Sequence, residues 1–523
     1  MYKRHKLLFL TVLLVILMSV FLPTSAQDDT DAPFLYYYSR LHNAFIIERA
    51  DGSDRVIFGS EVEGLIWDMA WSPSGQWLMW MSILEDGEHL NPSYYRTQAS
   101  VIRHDDGERL TVLDHIDWVV CSEWSPTDGI LLLKGTVQEP DSSRISRELI
   151  VVDANSGRIE FSTTLAHGCG QWAPDGSAIY FTDGERNQFR LVVSTWTMET
   201  IPWFFAEWSV EDCLVFIDFD ADTETQRLRM EDSEGRVLFE GFLPAWRIHY
   251  VEWSPNHDYA LLFTLSEPLQ GIVSEPHKLW LLSLPNQSIR LISDRTITPL
   301  PCKHSTCIMP LPVKIWSPTG DRAVFPTVDG TLMWLNMADL SLEDTGLQIP
   351  SLVIEDEKVT EDFGGNILFP GQAQWGVQWS DDHAFFVLED GVHVYDLREE
   401  RFFDARIGQL LNFGVSADGR YVAQTGLCGD EFDDHGGHCL WDWRENTAIN
   451  VPPPDLMGLV SGYGQVYWHN KQDWVLLADA QVYTSPFPNW SVASADGTVH
   501  RELTRCYTGA KCVDWLPDNV MVE

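Results

Sequence analysis

One short pattern recurs along this chain and constrains its fold more than any other feature. It runs aromatic, Ser, Pro, a polar or acidic residue, Gly, and then an apolar alternation. Clear copies are WSPSG from Trp71, WSPTDG from Trp124, WAPDG from Trp172, WSPNHD from Trp253 and WSPTG from Trp316. More divergent copies begin at Trp208 (WSVED), Trp379 (WSDDH), Val415 (VSADG), Trp468 (WHNKQD) and Trp515 (WLPDN). Proline presets φ, Asp bonds the nearby backbone and Gly takes a positive φ, so each copy specifies a tight turn. The runs that follow, such as WLMWMS, ILLLKG, AIYFTD and AFFVLE, are short and rich in β-branched and aromatic residues. They read as strands.

A second signal interleaves with the first. Between anchors lie hairpins of apolar strand, polar turn and apolar strand, as in FIIERADGSDRVIF, IVVDANSGRIEF and LWDWRENTAI. Ten hairpins and ten anchors give about four strands per unit, the sheet of one propeller blade. The expected fold is therefore all-β, a β-propeller of about ten four-stranded repeats. A hairpin precedes the first anchor and an anchor strand ends the series. That offset predicts that the last strand pairs with the first hairpin and hides two sheet edges. The ten units fit one wide ring, or two smaller rings split near the Pro-rich stretch 298–312.

The motifs WSPSG, WSPTDG, WAPDG and WSPTG resemble the TolB-type repeat, a relative of WD-repeat propellers. The resemblance covers residues 27–523. It implies a rigid platform for protein contacts in the periplasm or at the cell surface. The fold itself does not name a function, because function resides in sites grafted onto it.

The N-terminus supports export. Lys3, Arg4, His5 and Lys6 precede an apolar stretch from Leu7 to Leu22, then Pro23, Thr24, Ser25 and Ala26. A basic start, an apolar middle and small residues at the cleavage position form a secretory signal over residues 1–26. The rival is a retained membrane anchor, but the stretch is shorter than the ~20 residues that span a bilayer. Cleavage removes Lys3, Arg4 and Lys6 and no acid, so the formal charge of −42 becomes −45. So acidic a surface repels nucleic acid phosphates and anionic lipid. A transmembrane helix after signal cleavage is not expected either. The expected partner is a protein or glycan outside the cytoplasm.

Export also permits disulfides among the nine cysteines. Cys428 with Cys439, Cys302 with Cys307, and Cys506 with Cys512 are close enough to staple loops, and Cys121 and Cys169 hold equivalent positions in adjacent repeats. The loop CGDEFDDHGGHC places Asp430, Glu431, Asp433, Asp434, His435 and His438 together, groups that suit Zn²⁺ or Ca²⁺. Their spacing matches no standard site, so a solvated hairpin tip closed by a Cys428–Cys439 bridge is the expectation, and no cofactor is called for. The run Asp218, Asp220, Asp222 lacks the glycine and terminal glutamate of a calcium loop.

Six residues just before the anchors are polar: Glu123, Gln171, Glu207, Glu252, Gln378 and Asp514. Strand alternation points them away from the anchor side. On innermost strands they would form a collar at a central channel, for a cation, a basic peptide or glycan-cleaving acid–base chemistry. The competing reading is that they bond neighbouring backbones. The anchors Trp71, Trp124, Trp172, Trp253 and Trp316 are expected between sheets as packing residues. Tyr94 and Tyr95, outside the repeat, are better ligand-stacking candidates. The chain lacks a G-x-S-x-G elbow, a phosphate loop, a dinucleotide fingerprint and an H-E-x-x-H motif. A non-catalytic binding platform is the leading expectation, and a channel-centred glycan hydrolase or lyase the alternative.

Overall fold

The computed structural model describes residues 32–522 except 60, 85–95, 106, 117, 128, 139–144, 165, 167–168, 184, 186, 202–203, 210–212, 221–224, 233–235, 246, 266–276, 297–312, 350–359, 362–366, 369–374, 389–390, 404–411, 427–436, 452–464, 479–488, 506–511 and 521. These residues are strands, turns and bends, with no helix among them. They form nine four-stranded sheets, one three-stranded sheet and a two-stranded pair, all antiparallel.

From first strand to last, sheet two is Leu65–Trp71, Trp77–Leu84, Arg96–Arg103 and Arg109–Ile116. Sheet three begins at Trp118–Trp124, sheet four at Gln171–Trp172, sheet five at Phe204–Ser209 and sheet six at Arg247–Trp253. Sheet seven has three strands from Arg322–Pro326, and Trp316 adds an isolated bridge to Ala323. Sheet eight is Gly376–Trp379, His383–Leu388, Gly391–Asp396 and Arg401–Phe402. Sheet nine is Asn412–Val415, Tyr421–Gly426, Gly437–Asp442 and Thr447–Val451. Sheet ten is Gln465–Trp468, Trp474–Ala478, Asn489–Ser494 and His500–Arg505. Sheet one joins both ends of the chain: Val513–Trp515 pairs with Phe34–Ser39, which continues to Ala44–Arg49 and Val56–Phe58.

In sheets two and eight the second strand is buried on both faces, which explains its nearly unbroken apolar sequence. Leu78 and Trp80 enter the core shared with sheet one, while Trp77, Met79 and Met81 enter the core shared with sheet three. Ala384 and Phe386 face sheet seven, and Phe385 and Val387 face sheet nine. Each fully buried Leu or Phe of this kind contributes about 1.5–3 kcal/mol. Further cores join sheets three to four, five to six, six to seven and nine to ten. One core holds sheets ten, one and two together. The stretch 298–312 lies outside the described residues. The sheets on either side of it share the core of Leu261, Phe263, Ile315 and Phe325.

The anchors sit at these junctions. Trp71, Trp124, Trp172 and Trp316 are buried, and Trp253 is half-buried. The indole N–H of Trp124 donates to the Ala70 carbonyl on the preceding first strand. Trp316, Trp468 and Trp515 repeat the bond to Glu252, Gly414 and Tyr467. The same atom of Trp71, Trp172 and Trp253 is buried without an acceptor. The anchor turn has a constant register. Ser72 N–H donates to Trp77, Ser125 to Ile130, Ala173 to Ala178, Ser254 to Tyr259, Ser317 to Arg322 and Ser416 to Tyr421, always five residues on. Gly75, Gly176, Gly320 and Gly419 take the positive φ the turn requires.

Sheet one is tied to sheet ten by a buried ionic clasp. Glu48 is fully buried and accepts from Arg55 Nε at 2.6 Å, Arg501 Nη2 at 3.0 Å and Tyr37 Oη at 3.1 Å. Arg501 also donates to the carbonyls of Ala50 and Arg49.

Candidate functional site

The six collar residues lie on or beside first strands, and several are engaged in structure. Gln378 clamps sheet eight to sheet nine: its Nε2 donates to the Phe413 carbonyl at 3.3 Å and its Oε1 accepts from Val415 N at 3.0 Å. Glu252 accepts from the Tyr250 hydroxyl on its own strand. Asp514 accepts from the Trp515 amide. Glu123 and Gln171 are exposed. Glu123 is solvent-accessible, yet desolvation raises its carboxyl above the usual range, the combination expected of a group within a concavity. The Glu207 side chain lies outside the described residues.

Cys169, Cys439 and Cys512 are each disulfide-bonded. Cys302, Cys307, Cys428 and Cys506 lie outside the described residues, as do Asp430, Glu431, Asp433, Asp434, His435, Tyr94 and Tyr95, and the side chains of Cys121 and His438. Among the described residues no group of three or more His, Cys, Asp or Glu is placed to hold a metal ion. No described helix is long and apolar enough to cross a membrane.

A cleft opens where the repeat breaks. In sheet eight the anchor copy is Trp379-Ser380-Asp381-Asp382-His383, without the proline and glycine. Ser380 N–H donates to His383 O, three residues on instead of five. The turn is two residues shorter than its counterparts. In the longer turns the serine hydroxyl accepts the amide five residues on, as Ser72 does from Trp77 and Ser416 from Tyr421. Ser380 Oγ is buried without a partner. Beside the shortened turn, on this face, is a space between sheets eight and nine.

That space is a cleft of about 430 Å³, lined by Asp382, His383, Asp396, Arg398, Glu399, Phe403, Trp443 and Arg444. At the residue after the third strand, sheet nine carries Trp443, where sheets one, three and ten carry Ala50, Ala154 and Ala495, sheets four, six and eight Val193, Leu284 and Leu397, and sheet two His104. The Trp443 ring meets His383 edge-on with centroids 4.7 Å apart and Phe403 at 4.9 Å. Its indole N–H donates to the Gly419 carbonyl at 2.7 Å.

The acids at the rim are compensated. Asp382 pairs with Arg398 and Glu399 with Arg401. Asp396 is penalised by burial, but the amides of Glu399 and Arg398 hold its carboxyl below the usual range. The Arg444 guanidinium lies over the Trp443 ring at 5.3 Å. His383 is 6% exposed. Burial lowers its pKa, and Arg444 adds to the effect against the opposing pull of Asp396, which favours the neutral ring.

The sequence flagged WSDDH only as a divergent copy. His383, Asp396 and Trp443 were not singled out. The available signal was the loss of both proline and glycine from one anchor turn.

No protein-family model matches the sequence, and no curated protein matches it. Among solved structures, a eukaryotic initiation factor is similar over 92% of this chain and 98% of its own, with 13% identity and a TM-score of 0.46. TolB from Acinetobacter baumannii is similar over 50% of this chain and 63% of its own, with 15% identity and a TM-score of 0.23. The β-propeller domain of the trilobed protease from Pyrococcus furiosus is similar over 75% and 97%, with 10% identity and a TM-score of 0.31. Likenesses this remote carry no argument about chemistry or partners. The all-β reading rests on the sheets and their packing.

Proposed function

We propose that this chain is an exported propeller of the TolB type, with its ten sheets in a single ring, acting as a non-catalytic binding platform. The paired chain ends and the cores shared by most successive sheets support one ring. The basic, apolar and small-residue order of residues 1–26 supports export. Recognition occurs on the face of the anchor turns, at the cleft between sheets eight and nine. The observation that carries this reading is the two-residue shortening of the turn at Ser380–His383. A repeat conserves what every sheet needs for packing. A departure that opens a lined cleft serves something other than packing.

The test restores the repeat. Inserting two residues so that the turn reads Ser-Pro-Asp-Gly closes the cleft while keeping the sheet. Wild-type and restored proteins are then compared by cross-linking in the envelope of the source cells. A partner joined to the wild type and lost from the restored variant supports the reading. The same partner joined equally to both overturns it.

A further inference from the structure

The cleft carries information about its ligand, and the inference that follows rests on reading it as the recognition site. The His383 imidazole is nine-tenths buried, lines the cleft and has no hydrogen bond to any described residue. Its nearest acid oxygen, Asp396 Oδ2, lies 3.7 Å from Nε2, too far for a direct bond. The ring opens to the cleft, so a group that enters there can meet its hydrogen-bonding capacity. One oxygen set to the side of the line joining the two atoms reaches both at hydrogen-bond distance. If Nε2 bears the proton, that oxygen accepts from the imidazole and donates to the carboxylate. In the other tautomer it donates to both. A hydroxyl meets the first demand, which an ammonium or a carboxylate does not.

Charge selects further. Three acids, Asp382, Asp396 and Glu399, and two arginines, Arg398 and Arg444, line the cleft, and Arg401 beside it pairs with Glu399. Asp382 and Glu399 are already ion-paired with Arg398 and Arg401. A cation finds two of its acids engaged, and an anion meets three carboxylates. An uncharged ligand meets neither obstacle. The half-buried Phe403 ring and the Trp443 edge add an apolar wall, while Arg398 and Arg444 supply planar N–H donors for further oxygens. The volume of about 430 Å³ lies within the ~300–1,000 Å³ of small-molecule sites. We propose that this cleft is a carbohydrate site for an uncharged sugar, one ring hydroxyl bridging His383 and Asp396.

The experiment uses the full mature chain and the methyl glycosides of glucose, galactose, mannose and N-acetylglucosamine. Binding is read by saturation-transfer NMR and calorimetry. At least one glycoside is expected to bind, and His383→Ala to weaken it by about tenfold or more. Asp396→Asn keeps an oxygen for the Arg398 and Glu399 amides and removes the bridging one, so it should weaken binding without altering the melting temperature. The inference is overturned if no neutral glycoside binds, if binding survives His383→Ala unchanged, or if methyl glucuronide binds better than the neutral sugars. Loss of sugar binding in all forms, with cross-linking still dependent on the open cleft, rejects the sugar and leaves the platform standing.

Discussion

Removing the Arg501 guanidinium should open the closure between the two ends of the chain. Glu48 is fully buried and shares its charge between Arg55 and Arg501. Arg501 reaches it from sheet ten and also satisfies the Ala50 and Arg49 carbonyls. An Arg501→Met variant keeps most of the apolar stem and deletes all three bonds. Breaking a buried ion pair by removing one partner costs about 3–5 kcal/mol. Arg55 remains, which places the ionic loss near the lower bound. The Arg49 carbonyl keeps the Gly52 amide as a donor, while the Ala50 carbonyl is orphaned and adds roughly 1 kcal/mol. The sum is about 4 kcal/mol, localised on sheet one. At about 1.4 kcal/mol per tenfold, amides of Phe34–Ser39 and Ala44–Arg49 should exchange with deuterium roughly two to three orders of magnitude faster. Amides of sheets three and six should keep their rates, because local openings of a large β protein are separable. Mass spectrometry of exchanged peptides reads both. A companion double variant, Glu48→Leu with Arg501→Met, removes the stranded charge and should recover part of the loss. Exchange in sheet one that is unchanged in Arg501→Met would refute the clasp as the element holding the ends together.

Gly419→Ala should destabilise the protein by roughly 1–3 kcal/mol, because φ there is positive and the new Cβ would overlap the Ser380 side chain. Thermal unfolding checks it, and an unchanged midpoint would show that the turns do not press on one another. Burial first, then the Asp418 carboxylate beside it, push the Asp473 carboxyl up to about 6, against an opposing pull from Arg420. The folded state therefore holds more protons than the unfolded chain between pH ~4 and ~6, and stability falls as pH rises through that window. Asp473→Asn should melt above the wild type at pH 7, with the gap narrowing towards pH 4; a pH-independent gap would contradict the shift. Non-reducing peptide mapping should join Cys439 to Cys428. Any other partner for Cys439 would remove the expected staple from that hairpin.

The strand content and the turns were legible in the sequence, because both are local. Proline, aspartate and glycine at fixed offsets dictate a turn whatever surrounds it. The alternation in WLMWMS and AFFVLE reports two buried faces once the stacking of sheets is known. The pairing of the last strand with the first hairpin followed from counting units, since an unpaired strand at each end would leave two open edges. The collar was legible as a row of polar residues, but not its use. Whether Gln378 faces a channel or clamps Phe413 and Val415 depends on how closely sheet nine approaches, which no offset along one strand records.

The clasp and the cleft were decided by the tertiary structure alone. Glu48 and Arg501 stand 453 positions apart, and nothing near either residue announces the other. The sequence WSDDH shows that a turn has lost its proline and glycine. It does not show whether the lost volume is refilled. That outcome depends on Trp443, which sheet nine supplies, and on Asp396, the cross-strand partner of His383 in sheet eight. By itself the sequence determined repeating, locally specified sheets. Which departures from the repeat become sites was set by contacts between sheets, because a cavity is a property of two packed surfaces and not of either one.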